Sequence, residues 1–158
     1  MMSVSPSVVY FGIHENLTLS REGVWLSNGE EITHEATVQA FHRCLETAHE
    51  GGWRIRIGRE EKPVLIEDTP RFVQRLSGNP EQGFRIHLLH SADENGEVLD
   101  PSTLEFKPGR LVCRTRQGWK ARFLRTPYHE ILKGLERDLK GYYLILNGAR
   151  INLSSETP

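Results

Sequence analysis

Apolar and polar positions follow two distinct periods along this chain. Residues 53–57, Trp-Arg-Ile-Arg-Ile, alternate strictly, the signature of a strand with one dry face. Val38, Phe41, Leu45 and Ala48 instead fall three and four apart. That spacing predicts a helix ending at Gly51-Gly52, where glycine supplies a left-handed terminus. Thr33 stands ahead of it as a capping hydroxyl. Upstream, Val24-Trp25-Leu26 runs into Asn28-Gly29, a pair that adopts positive φ readily, so a tight hairpin pairing Trp25 with Ile32 is expected. Residues 64–66 read as a return strand closed by Asp68-Thr69-Pro70. Residues 77–83 read as loop, 84–89 as a strand and 91–100 as a solvated turn region.

The later part of the chain follows the same scheme. Residues 111–116 and 119–124 flank Gln117-Gly118. A three-residue loop, Arg116-Gln117-Gly118, puts Leu111, Cys113, Ala121 and Phe123 on one face and Arg114, Lys120 and Arg122 on the other. Thr126-Pro127 opens a second helix with the stripe Tyr128, Ile131, Leu132, Leu135 and Leu139, closed by Gly141. Residues 142–146 and 149–153 make a last hairpin around Asn147-Gly148. An offset of 90 positions lays Val38, Phe41 and Leu45 on Tyr128, Ile131 and Leu135, and Trp53 and Ile55 on Tyr143 and Ile145. The expected class is α+β, with two similar repeats, each hairpin–helix–hairpin. Residues 1–19 form an N-terminal arm, 20–83 the first repeat, 84–153 the second, and 154–158 a tail. Chance recurrence of a common strand–helix–strand pattern is the competing account.

Several of these residues carry a family resemblance. Gly23-Val24-Trp25, the Gly51-Gly52 stop and the run Glu61-Lys62-Pro63-Val64-Leu65-Ile66-Glu67-Asp68-Thr69-Pro70 resemble the bacterial domain-of-unknown-function family 1285. So do Gly118-Trp119-Lys120-Ala121-Arg122 and Pro127-Tyr128-His129-Glu130-Ile131-Leu132, and the likeness covers about residues 20–153. These are packing and turn motifs. Arg71 departs from the pattern by interrupting the apolar pair expected after Pro70. The resemblance implies a duplicated α+β core whose C-terminal half is similar to pleckstrin-homology-like folds. It further implies a nucleotide-type ligand site between the halves and a role in signalling. It transfers no catalytic residue.

Composition narrows the classes without choosing among them. The 158 residues are 37% hydrophobic and 26% charged, an ordinary globular balance. No apolar run approaches the roughly 20 residues that span a bilayer, and residues 1–13 lack the basic start of a signal peptide. Cys44 and Cys113 are too few for a disulfide framework, which makes the cytoplasm the expected compartment. Twenty Lys and Arg against 21 Asp and Glu leave a net charge of −1, so bulk electrostatics selects no partner.

Charge is instead local. Seven basic residues and no acid lie from Lys107 to Arg125 (Lys107, Arg110, Arg114, Arg116, Lys120, Arg122, Arg125). Arg54, Arg56 and Arg59 form a second strip. Guanidinium forks hold phosphate in bidentate fashion, and Trp25 or Trp119 could stack on a base. The competing account is a solvated face partly neutralised by Asp93, Glu94, Glu97, Asp100 and Glu105. His34 and His42 stand two helical turns apart, and His87 and His90 point to opposite faces of a strand, so no metal site is expected. Both cysteines read as packing thiols, and no serine sits in a strand–turn–helix elbow. The chain is therefore expected to be a non-catalytic module that needs no cofactor. It would bind a small anionic, nucleotide-like ligand between its repeats through Arg54, Arg56, Arg114, Trp119, Lys120 and Arg122. Two alternatives stand beside it. One is single-stranded nucleic-acid binding by the 107–125 ribbon, which the near-zero net charge argues against. The other is a protein-interaction adaptor acting through strand addition.

Overall fold

A computed structural model of the chain describes residues 16–153. The expected arm before Asn16, with its apolar segment 8–13, and the tail 154–158 lie outside the described residues. The protein is α+β, its described residues mostly sheet with two α-helices, and it divides into two compact units between Asp68 and Thr69. Among the described residues, no helix is long and apolar enough to cross a membrane.

The first unit is one six-stranded sheet and a helix. Leu17–Leu19 (β1), Trp25–Ser27 (β2) and Glu30–Glu31 (β3) form an antiparallel meander. Leu45–Thr47 (β4), Trp53–Ile57 (β5) and Glu60–Ile66 (β6) form another, and β1 joins β6 in parallel. Asn28 and Gly29 carry φ of 50° and 86°, the tight turn their identities demand, and Ile32 N–H donates to Trp25 C=O at 2.8 Å. Leu17 and Leu19, expected to end the arm, are buried in the sheet. Glu35–Cys44 (α1) covers the same face as Trp25, whose ring meets Phe41 edge-on at 5.2 Å. Trp25 is therefore core and is not open for stacking on a ligand.

The first helix ends earlier than its periodicity indicates. Leu45 turns extended (φ −69°, ψ 132°) and pairs with Ile55, while Gly51 and Gly52 shape the β4–β5 hairpin instead of a helix terminus. Leu45 is buried either way, so its spacing from Phe41 could not separate the two outcomes. Nor is Thr33 the cap. His34 occupies that position, with its Nδ1 2.7 Å from the Thr37 hydroxyl.

In the second unit Arg71–Asn79 (β7), Gly83–Leu88 (β8) and Glu97–Val98 (β9) form a meander. Glu105–Lys107 (β10), Arg110–Arg114 (β11) and Lys120–Phe123 (β12) form a second, with β12 parallel to β7. The resulting order is β10-β11-β12-β7-β8-β9. β7 is the element that periodicity misses. A bulge between Val73 and Arg75 breaks its alternation, and most of the expected 77–83 loop is paired backbone closed by residues 80–82. β7 and β8 form one hairpin that lies wholly within the second compact unit.

The β11–β12 hairpin has the expected register. Cys113 faces Ala121, Thr115 N–H donates to Trp119 C=O at 2.8 Å, and 116–118 is the loop. Arg125–Ile131 (α2) then gives way to a 3₁₀ turn at Leu132–Gly134 and to Glu136–Asp138 (β13). This correction parallels that in the first helix. Leu139, expected on the buried stripe, is fully exposed. Gly141–Leu146 (β14) and Ala149–Asn152 (β15) complete a three-stranded sheet whose Leu144 and Leu146 enter the core with Val73, Ile86, Leu111 and Phe123.

Candidate functional site

Arg54 and Arg56 share one face of β5 with two acids. Glu46 on β4 is opposite Arg54, and Glu61 on β6 is opposite Arg56. Glu46 Oε2 accepts from Arg54 Nε at 2.7 Å, and Glu61 Oε2 stands 3.4 Å from Arg54 Nη1 and from Arg56 Nη2. Hydrogen bonding from Arg54 holds the Glu46 carboxyl below its ordinary range. Two guanidinium groups and two carboxylates close a neutral square, so this strip offers an anion little net charge. Arg59 lies in the β5–β6 turn, exposed and off the strand.

On the second unit Arg114, Lys120 and Arg122 do share a face. Arg114 donates Nη1 to its own turn at Gly118 C=O, 2.9 Å away, and Lys120 Nζ lies 3.5 Å from Glu105. Trp119 is separated from them. Strand alternation puts it with Ala121, on the side of the sheet that carries the core. A single ligand contacting Trp119 by stacking and all three cations is therefore not what this sheet presents.

What Trp119 does meet is Arg71, whose guanidinium carbon stands 4.6 Å from the ring centroid. Pro70 fixes the entry into β7, and Arg71 falls opposite Ala121 across the parallel β7–β12 ladder. Buried Thr69 staples that start in place. Its hydroxyl donates to Arg71 C=O at 2.7 Å and accepts from Arg122 N–H at 3.3 Å. Arg71 is 6% exposed, and Nη1 donates to Pro70 C=O at 3.5 Å. Among the described residues no carboxylate lies within 4.0 Å of it. Burial pushes its guanidinium down to about 10, with the charge of Glu97 opposing that shift. It stays cationic at neutral pH.

Glu97 reaches the same corner from β9. It pairs with core-facing Ile86, is 9% exposed, and its Oε1 accepts from Arg116 N–H at 2.5 Å in the β11–β12 loop. Buried Thr115 and Cys113 line the corner, and burial pushes the Cys113 thiol up to about 12. Neither Arg71 nor Glu97 was a candidate from spacing. Arg71 did announce itself as a cation in an apolar position, whereas Glu97 is one acid among several in its loop.

A second polar group lies on the opposite face of β7 and β8. His87 Nδ1 is 3.1 Å from Arg75 Nη2, and Nε2 is 2.9 Å from Ser77 Oγ. A guanidinium can only donate, so Nδ1 accepts and Nε2 carries the proton toward Ser77. That tautomer cannot take a proton from the serine, so the pair is not arranged as nucleophile and base. Among the described residues, no three of His, Cys, Asp or Glu converge as metal ligands.

The fold is similar to that of solved proteins of one family. The chain is similar to a DUF1285 family protein from Silicibacter pomeroyi DSS-3, with 18% identity, 85% of this chain and 77% of that one covered, and a TM-score of 0.60. It is also similar to a DUF1285 family protein from Shewanella baltica OS155, with 13% identity, 76% and 92% covered, and a TM-score of 0.58. By fold, then, the chain stands with the DUF1285 proteins that its motifs resemble. No family model and no curated protein matches its sequence.

Proposed function

We propose that this protein is a non-catalytic bacterial module that binds a small anionic, nucleotide-like ligand on its second unit. The observation that carries this reading is Arg71, a nearly buried guanidinium under Trp119 with no carboxylate within 4.0 Å among the described residues. Burying a charge without a paired counter-ion is costly, and a cation–π contact offsets only about 2 kcal/mol of it. A ligand that completes the hydrogen bonding of Arg71 would remove that cost. In this reading Trp119 is the stacking wall, Arg71 replaces Arg54 and Arg56 as the anchoring cation, and Arg114, Lys120 and Arg122 set the surrounding potential.

The finer features belong to the same proposal. Three strands, a helix and three strands occur over 17–66 and again over 105–152, with β7–β9 between them, which supports a duplicated plan. A pleckstrin-homology-like C-terminal half, a cytoplasmic location and a protein partner in signalling follow from the family resemblance. Titration with a panel of labelled mono- and dinucleotides tests the reading. At least one should bind saturably, and Trp119→Ala should weaken it at least tenfold. Flat titrations of folded protein across the whole panel reject it.

A further inference from the structure

The chain contains three Asn-Gly pairs, at 28–29, 95–96 and 147–148, and the fold restrains them unequally. Asn28 is pinned by its own side chain. Its Oδ1 accepts from Asn16 N–H at 2.8 Å while its N–H donates to Asn16 C=O at 2.9 Å. Asn95 is held through the peptide that follows it. Its C=O accepts from Arg85 Nε at 2.8 Å, and Gly96 N–H donates to Asp93 C=O at 3.3 Å. Gly96 is also buried against Ile86 and His87. Asn147 has neither restraint. Its N–H donates to Pro80 C=O at 2.5 Å, which fixes the peptide before it and leaves the one after it. Among the described residues, the Asn147 side chain and the Gly148 N–H make no hydrogen bond. Both residues are exposed, and nothing lies within 4 Å of the place a Cβ on Gly148 would take.

We propose that Asn147 is a site of spontaneous covalent modification, deamidating through a succinimide. The nucleophile is the adjoining Gly148 nitrogen, so the covalent chain sets its reach. The fold decides whether the side chain and the peptide between them can turn toward each other, and glycine has no Cβ to obstruct the approach. Once hydroxide removes its proton, that nitrogen bonds to Asn147 Cγ, and the carboxamide nitrogen leaves as ammonia. Water then opens the ring at one of two bonds. Breaking the new C–N bond gives an aspartate, and breaking the original peptide bond gives an isoaspartate. The aspartate product suits the same tight turn, whose φ values are 53° and 75°. The isoaspartate product adds a backbone carbon to a two-residue loop that sets Leu146 opposite Ala149. Leu144 and Leu146 belong to the core, so that product disturbs packing where the first does not.

Ageing the full chain at pH 8 and mapping its peptides by mass spectrometry tests this, with an isoaspartyl methyltransferase assay to read the isomer. In the folded protein Asn147 should convert at least fivefold faster than Asn28 and Asn95. In guanidinium chloride, where only the sequence acts, the three rates should converge. Asn147→Gln, which would have to close a larger ring, should remove most of the isoaspartate that the native chain accumulates. Asn28 or Asn95 converting within fivefold of Asn147 in the native protein overturns the proposal. So does an Asn147 that stays intact while the unfolded control reacts to completion. The native order persisting in denaturant overturns it as well, because the selectivity would then belong to the flanking residues and not to the fold.

Discussion

Gly96 sits against His87 so closely that no side chain fits between them. A Cβ at Gly96 would stand 2.9 Å from the imidazole Cε1 and Nδ1 and 2.5 Å from the backbone oxygen of Ile86. Its φ of 67° adds the left-handed penalty of an L-residue. Gly96→Ala should therefore destabilise the protein by about 2–4 kcal/mol, the range of strained backbone combined with overpacking. Gly29→Ala, where φ is 86° and no atom lies within 4 Å, should cost only the conformational part, about 1–2 kcal/mol. Urea unfolding of the two variants side by side checks the difference.

His87 should make stability depend on pH. Burial lowers its pKa first, and the charges of Arg75 and Arg85 lower it further, against a smaller opposing pull from Asp93. The unfolded chain takes up this proton near the ordinary value of 6.5, whereas the native protein resists it. More protons on the unfolded state means that stability rises with pH. The contribution is complete above about pH 6.5 and is lost progressively as the pH falls below it. Urea midpoints from pH 7.5 to 5.5 should fall in the wild type and fall less in His87→Gln. Equal slopes would show that the imidazole does not titrate against its guanidinium neighbours.

Glu46 acts at lower pH. The Arg54 hydrogen bond holds its carboxyl below 4.5, so the native state keeps it ionised where the unfolded chain would protonate it. Its contribution is present above that value and disappears as the pH falls through the depressed native one. Glu46→Gln should be less stable than the wild type at pH 7, and the gap should close by about pH 3. A gap constant across that interval would mean that shape, and not charge, is what Glu46 supplies.

What could be read from the residues depended on whether a side chain's role was local. The Asn28-Gly29 turn, the β5 strand and the Cys113–Ala121 register follow from neighbours in sequence, and the fold contains them. The helix ends did not follow. Leu45 satisfies a helical stripe and a strand equally well, and only the pairing with Ile55, ten residues on, decides between them. β7 was hidden by its bulge. Arg54 and Arg56 looked like a free basic strip because Glu46 and Glu61 reach them from other strands. The Arg71–Trp119–Glu97 corner has the same origin. Its members come from β7, the β11–β12 hairpin and β9, and no spacing along the chain announces that meeting.

The two thiols should separate the surface from this corner. Cys113 is fully buried on the core side of β11, with its pKa pushed up to about 12, while Cys44 at the end of α1 is only partly covered. The thiolate is the reactive form, so Cys113 is protected twice, by access and by protonation. With a thiol reagent at pH 8, native protein should label one of its two cysteines readily. The second should label only at the rate of opening of the second unit, reaching completion in denaturant. Mass spectrometry of the labelled peptides assigns each site. Cys113→Ala should then leave the fast phase untouched and remove the slow one. Rapid labelling of Cys113 in folded protein would mean that the corner beneath Trp119 opens far more often than its packing allows.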